Sequence, residues 1–314
     1  MQTIHLSYPI QNAEILPFAG RKVIAIGDFD GVHLGHREVI GRAVENARRL
    51  GVPAAIMTFD PHPRELLGQD KYSRLLSPTS YKLEVFEKLG VDCTYVLRFD
   101  KALMQASPQQ FVDRVLAALG VEMVVVGFDF TFGYKGQGTP DTLCELGQGR
   151  FAVEVVRPFR MNGVKVSSTA IREALLEGRP PAATELLGRS YGVRGVVVSG
   201  DKRGRQLGFP TANMDLTENF VIPAAGVYAV QVLLNDSWYQ GVMNIGTKPT
   251  FHSGKVLSLE AHLLDFDADI YGSTIFVEFI DYLRPERKFN GMDELITQLK
   301  RDVDTARIKL KQIE

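Results

Sequence analysis

The sequence predicts an α/β domain followed by a β domain: a parallel sheet covered by helices, then an antiparallel β barrel or sandwich with a terminal helix. Three observations lead there. Short apolar runs alternate with amphipathic helical stretches through the first half. Beyond about residue 185 the apolar pattern changes to a period of two. A chain of 314 residues is about twice a typical domain, which favours two, set at 1–184 and 185–314.

Val23-Ile24-Ala25-Ile26 reads as the first strand, followed by a glycine-rich turn. From Gly35 to Leu50, Val39, Ile40, Ala43, Val44, Ala47 and Leu50 share one helical face, and Gly51 is placed to end that helix. Ala54 to Phe59, Cys93 to Leu97 and Met123 to Val126 are further buried-strand candidates. Ser77-Pro78, Ser107-Pro108 and Thr139-Pro140 each put a capping hydroxyl before a proline at a helix start. Short apolar strands separated by helices call for a parallel sheet with both faces covered, which binds ligands at the C-terminal strand ends. The polar, proline-containing stretch Glu177 to Arg189 is the expected junction. After it, Val193–Ser199, Val227–Leu234, Trp238–Ile245, Val256–Leu264 and Ile275–Tyr282 alternate as antiparallel strands. Phe289 onward reads as one helix, with Leu295, Ile296, Leu299, Val303 and Ala306 on a face.

Composition excludes several classes. Apolar residues make up 45% and charged residues 23%, which is globular rather than disordered. Lys plus Arg is 36 against 37 Asp plus Glu, a net charge of −1, without the basic excess of a general nucleic-acid binder. No apolar run approaches the roughly 18–20 residues of a membrane helix. Met1 to Gly20 carries no secretory pattern, and the two cysteines, Cys93 and Cys144, form neither a disulfide framework nor a zinc pattern. A cytoplasmic protein with no nucleic-acid or membrane partner is expected, its oligomeric state open. Asn235-Asp236-Ser237 matches the glycosylation sequon, but without export the match is taken as chance.

The first chemical constellation is Gly27-Asp28-Phe29-Asp30-Gly31-Val32-His33-Leu34-Gly35-His36, where a strand turns into a helix. Glycines let backbone approach phosphate, and a helix N-terminus offers free N–H groups. His33 and His36 can donate to an α-phosphate as charge builds on its oxygens. As isolated residues the histidines also fit a structural pair, and a metal pair lacks further ligands. Three more segments stand out: Thr58-Phe59-Asp60-Pro61-His62-Pro63, Val126-Gly127-Phe128-Asp129-Phe130-Thr131-Phe132-Gly133, and Ser167-Ser168-Thr169-Ala170-Ile171-Arg172. In the last, Ser168 or Thr169 can cap a helix whose N–H groups, with Arg172, hold phosphate oxygens.

These strings together resemble the nucleotidyltransferase half of bacterial bifunctional FAD synthetases, the riboflavin kinase/FMN adenylyltransferases. The resemblance implies a Rossmann-like domain, with His33 and His36 catalytic. It implies that Gly27, Phe29, Asp30, Gly35, His62, Asp129, Phe130, Ser167, Ser168, Thr169 and Arg172 contact ATP or flavin. Asp28 departs from the asparagine expected there, and the Lys-Met-Ser-Lys-Ser loop of class I aminoacyl-tRNA synthetases is absent.

The second constellation is Gly200-Asp201-Lys202-Arg203-Gly204-Arg205-Gln206-Leu207-Gly208-Phe209-Pro210-Thr211-Ala212-Asn213. It is not a Walker loop, although Gly200, Gly204 and Gly208 can bring amides to phosphate. Glycine content alone reads as a flexible hairpin loop. In Leu257 to Leu263, Glu260 and His262 face away from Leu257, Leu259, Ala261 and Leu263. Gly-Phe-Pro-Thr-Ala-Asn is similar to the riboflavin kinase motif of the same family, and Asn244 to Thr250 and Leu283 to Phe289 also match. The resemblance implies that Thr211 and Asn213 position Mg²⁺ and ATP phosphates and that Lys202, Arg205 and Pro210 line the nucleotide. It makes Glu260 the catalytic base and the second domain an antiparallel barrel. Asn290-Gly291 departs from the pattern, which touches only local flavin contacts. The function expected is phosphorylation of riboflavin to FMN, then adenylylation of FMN to FAD, with ATP as co-substrate in both. A kinase with a decayed first half, and a non-catalytic flavin-binding regulator, are the alternatives; His33, His36, Arg172, Thr211, Asn213 and Glu260 weigh against them.

Overall fold

The computed structural model describes residues 1–11, 16–199, 208–249 and 255–312. They form two compact units, Met1–Ser168 and Thr169–Glu314.

The first unit is built on a six-stranded parallel sheet. Its strands are β1 (Gln2–Leu6), β2 (Lys22–Ile26), β3 (Ala54–Asp60), β4 (Cys93–Arg98), β5 (Val121–Gly127) and β6 (Ala152–Val156), in the order β1-β4-β3-β2-β5-β6. The helices are α1 (Leu34–Leu50), α2 (Pro63–Leu66), α3 (Thr79–Glu87), α4 (Lys101–Met104), α5 (Pro108–Phe111) and α6 (Pro140–Gly147). Residues 23–26 and 54–57 are buried throughout, as a strand covered on both faces must be. The edge strands β1 and β6 escaped the sequence reading, which took Val23–Ile26 as the first strand. β1 mixes buried with exposed positions, β6 is half-buried to exposed throughout, and neither carries a continuous apolar run. From β2 the chain winds one way through β3 and β4, and from β5 the other way to β6. The order therefore reverses between β2 and β5, opening a crevice at their C-terminal ends.

Two of the three expected hydroxyl caps form. Ser107 closes a capping box with Gln110 over α5, and Thr139 caps α6. Ser77 does not cap: Pro78 takes the cap position of α3, and the Ser77 hydroxyl accepts the Gly31 N–H instead at 2.7 Å. Gly51 ends α1 in the left-handed conformation, as expected. A small hairpin, β7 (Arg160–Met161) and β8 (Val164–Lys165), precedes α7 (Ser168–Leu176).

The second unit is a closed antiparallel barrel. Its strands are β9 (Tyr191–Val198), β10 (Ala212–Leu216), β11 (Gly226–Leu234), β12 (Ser237–Pro249), β13 (Lys255–Leu263) and β14 (Thr274–Arg284), ordered β10-β13-β12-β11-β14-β9 and closed by β10 on β9. The expected junction is largely helical: Pro180–Leu187 forms α8, which packs on β9 and β14. Prolines at its start suit a first turn whose N–H groups have no intrahelical partner. The sequon match has a structural reading. Asn235 and Asp236, at φ of 47° and 62°, are the two-residue turn joining β11 to β12. The terminal helix α9 (Met292–Leu310) starts at a Gly291 cap rather than at Phe289. Its Ala306 and Leu310 cover Val227, Ala229, Val242 and Ile280 on the outside of the barrel.

Candidate active sites

β2 delivers the chain into a turn held by unusual backbone. Phe29, Gly31 and Val32 have φ of 50°, 89° and 42°, a region that non-glycine residues enter only when their surroundings hold them there. The Phe29 ring is buried, edge-on to His36 at 5.3 Å and to Phe86 at 5.8 Å. Two glycines serve packing. A Cβ at Gly27 would press on the Phe29 ring, and one at Gly35 would sit 3.3 Å from the His33 ring.

His33 caps α1. Its Nδ1 accepts the His36 N–H at 3.2 Å, and the two imidazoles stack with centroids 3.6 Å apart. An accepting Nδ1 leaves the proton on Nε2. Burial pushes the His33 pKa down to about 4, outweighing the charges of Asp30 and Asp129. At neutral pH His33 is thus an uncharged Nε2–H donor at the start of a helix, beside the half-buried His36.

Asp30 is buried and organises the loop. Its Oδ1 accepts the Ser77 N–H at 3.1 Å, and its carbonyl accepts the Ser168 hydroxyl at 2.9 Å. Ser167 is half-buried, Thr169 exposed, and Arg172 buried within α7. His62 caps α2 through Nδ1, which accepts the Arg64 N–H at 3.1 Å. Its ring stacks on Tyr72 at 4.8 Å, its Nε2 lies 3.8 Å from Asp28 Oδ2, and burial lowers its pKa. Across the crevice, after β5, the exposed Asp129 pairs with Lys165 of β8 at 2.8 Å. Phe130 turns the other way, stacking on Phe132 at 5.6 Å. The Lys165 ammonium lies 4.5 Å over the Phe128 ring.

Ser77, Lys82 and Lys165 escaped the sequence reading. Ser77 carried the pattern of a cap. Lys82 and Lys165 lie in no pattern that spacing reveals.

In the barrel the register assembles the second site. Asn213 of β10 stands opposite Glu260 of β13, and Glu260 stands opposite Asn244 of β12. Ala212, Met214, Met243, Ile245, Leu259 and Ala261 are buried on the other face of these strands. Cross-strand neighbours have Cβ atoms about 4.5–5.5 Å apart, so an amide, a carboxylate and an amide share one patch of outer wall. The Ser258 hydroxyl donates to Glu260 Oε1 at 2.8 Å. Gly246 leaves room for the Glu286 carboxylate near the Asn244 amide. Leu257 is exposed, although Leu259, Ala261 and Leu263 are buried. Before β10, Gly208 has φ of 80°, and the Pro210 carbonyl lies 2.7 Å from His262 Nδ1. The edge of the Phe209 ring meets His262 at 5.5 Å. Thr211 is half-buried beside these residues. Gly200, Lys202, Gly204 and Arg205 lie outside the described residues. The sequence reading left Thr211–Asn213 in a loop; the strand that starts at Ala212 is what faces Asn213 to Glu260.

No group of three His, Cys, Asp or Glu among the described residues is placed to hold a metal. The Thr211 hydroxyl and Asn213 amide are instead neutral oxygen donors. They suit Mg²⁺, which keeps several waters and takes phosphate oxygens rather than a full protein cage.

Comparison with known proteins finds two family matches along the chain. A family model described as FAD synthetase matches residues 17–170, and one described as riboflavin kinase matches residues 187–310. The bifunctional riboflavin kinase/FMN adenylyltransferase of Listeria monocytogenes is 44% identical, covering 100% of both chains. That of Bacillus subtilis is 42% identical, over 98% of this chain and 97% of its own. The fold also matches the crystal structure of a protein from Streptococcus pneumoniae named a macrolide-efflux protein, with a TM-score of 0.89 and 33% identity over 98% of this chain and 99% of that one. Among the described residues no helix is long and apolar enough to cross a membrane.

Proposed function

The chain belongs to the bifunctional riboflavin kinase/FMN adenylyltransferases, and from that premise we propose which residues carry each reaction. The enzyme phosphorylates riboflavin to FMN with ATP, then transfers AMP from ATP to FMN, giving FAD and pyrophosphate. Adenylyl transfer belongs to 1–184 and phosphoryl transfer to 185–314, a division that the spans of the two family models support.

In the adenylyl step a phosphate oxygen of FMN attacks the α-phosphorus of ATP, and the bond to the pyrophosphate oxygen breaks. His33 and His36 donate to the α-phosphate as charge gathers on its oxygens, from the start of α1 where the dipole also favours anions. The stacked pair carries this assignment. A neutral His33 that carries its proton on Nε2 is a donor that needs no protonation. Gly27, Phe29, Asp30 and Gly35 shape the turn. His62, Asp129, Phe130, Ser167, Ser168, Thr169 and Arg172 complete the nucleotide and flavin contacts.

In the kinase step the riboflavin 5′-oxygen attacks the γ-phosphorus, ADP leaves, and Glu260 takes the hydroxyl proton. The Asn213–Glu260 register carries this assignment, because it sets the general base beside the oxygen donors. Thr211 and Asn213 would hold Mg²⁺, which when bound would supply neutralisation of phosphate charge. Pro210 and Gly208 shape the approach to Thr211, and nucleotide contacts are assigned to Gly200, Lys202, Gly204 and Arg205. We place the enzyme in the cytoplasm; its two free cysteines fit a reducing compartment.

The test is separation of flavins after incubation with ATP and Mg²⁺. His36→Ala should make FMN from riboflavin at the parent rate and almost no FAD. Glu260→Gln should lower FMN formation by roughly 10²–10⁴-fold, the usual cost of losing a general base, while still converting supplied FMN to FAD. Loss of both activities in either variant would reject its assignment.

A further inference from the structure

A buried cation lies behind the turn that carries His33, and neither transfer step uses it. Lys82 of α3 is 1% exposed. Its Nζ donates to the Asp28 carbonyl at 2.7 Å and to Thr58 Oγ1 at 3.4 Å. Thr58 donates to the same carbonyl at 3.1 Å. The cation thus ties α3 to the ends of β2 and β3.

Burying an ammonium costs free energy that an apolar side chain of similar length avoids. The partners indicate what the cation holds. The backbone just past Asp28 takes positive φ at Phe29, Gly31 and Val32, and a β-branched residue stays there only when its surroundings over-determine the conformation. The α3 region grips this turn at three points. Ser77 takes the Gly31 N–H and gives its own to Asp30. Phe86 packs against the edge of Phe29. Lys82 holds the carbonyl where the turn begins. Burial lowers the Lys82 pKa, and the charges of Asp30, Asp28 and Asp60 oppose that.

We propose that Lys82 is a positioning residue for adenylyl transfer: by holding the Asp28 carbonyl against Thr58 it sets the turn that presents His33 and the start of α1 to the nucleotide. It touches no reacting atom. The inference rests on the assignment of His33 and His36 to that step.

The experiment uses the full chain. Lys82→Met keeps the length of the side chain and removes the donor. FMN adenylylation is measured as kcat and KM, riboflavin phosphorylation is measured on the same preparation, and circular dichroism checks folding. A misplacement of about 1 Å costs about 100-fold, so kcat for adenylylation should fall by that order while KM for ATP stays within about threefold. Phosphorylation of riboflavin should be unchanged. Lys82→Gln, which keeps an N–H donor on a shorter stem, should recover part of the loss; should the Met variant fail to fold, the Gln variant is read by the same two activities. A kcat within about threefold of the parent, or a proportional loss of both activities, overturns the proposal. His36→Ala run alongside separates the two levels: if it adenylylates normally, the site assignment itself falls; if it does not and Lys82→Met does, only the role of Lys82 falls.

Discussion

His33 joins three properties that the sequence shows only as one letter: a helix cap, a stacked partner and a depressed pKa. The last has a measurable consequence for stability. Unfolded, His33 protonates near 6.5, and folded only near 4. Between those values the unfolded chain binds the extra proton, so stability falls as pH drops through that window and is level above it. By pH 5 the loss attributable to His33 is on the order of 2 kcal/mol. His33→Asn keeps a capping side chain without the titration. In denaturant melts at pH 7 and pH 5, the parent should lose more stability than the variant by about that amount; equal losses would show that His33 does not bury a neutral ring. Much of this site was legible, because Gly27 to His36 and Ser167 to Arg172 are contiguous strings. Ser77 and Lys82 were not, since their roles depend on where α3 lies against β2 and β3. Ser77 also shows how a local rule misleads. A serine before proline reads as a cap, but the buried Gly31 N–H also needs an acceptor, and Ser77 supplies it.

Among the elements, α9 shows how a helix is fixed to a barrel by more than its apolar face. Asp302 is buried and accepts from Arg284 of β14 through Nε at 2.9 Å and Nη2 at 2.7 Å. Gln298 donates to it as well, at 2.7 Å. Removing one partner of a buried pair strands the other charge, typically at a cost of about 3–5 kcal/mol. The Arg284 side chain keeps 17% exposure, so Asp302→Ala should sit near the lower end of that range. Trp238, the one tryptophan of the chain, lies on β12 and reports the barrel. Its unfolding transition should move to lower denaturant in Asp302→Ala, and an unmoved midpoint would mean that the pair contributes nothing net. The helix was expected three residues early, at Phe289. Its apolar face is legible, but its start depends on Gly291 adopting the extended cap conformation.

At the scale of the whole molecule, the activities divide more simply than the chain does. A fragment of residues 169–314 retains α8, which packs on β9 and β14, and should fold and make FMN. A fragment starting at Arg189 strips α8 from those strands and should melt at lower temperature by circular dichroism. Equal melting of the two would show that α8 adds nothing to the barrel. The two fold classes, most strand and helix positions, and the motifs of both reactions are legible in the sequence, because periodicity, caps and contiguous strings are local properties. The tertiary structure alone decided that β10 closes the barrel and sets Asn213 across from Glu260, and that β2 and β5 flank the reversal in strand order. It also decided that Lys82 reaches the Asp28 carbonyl. Those pairings join residues distant along the chain, and their register is set by the burial of whole faces and by strand order, which no local window of sequence contains.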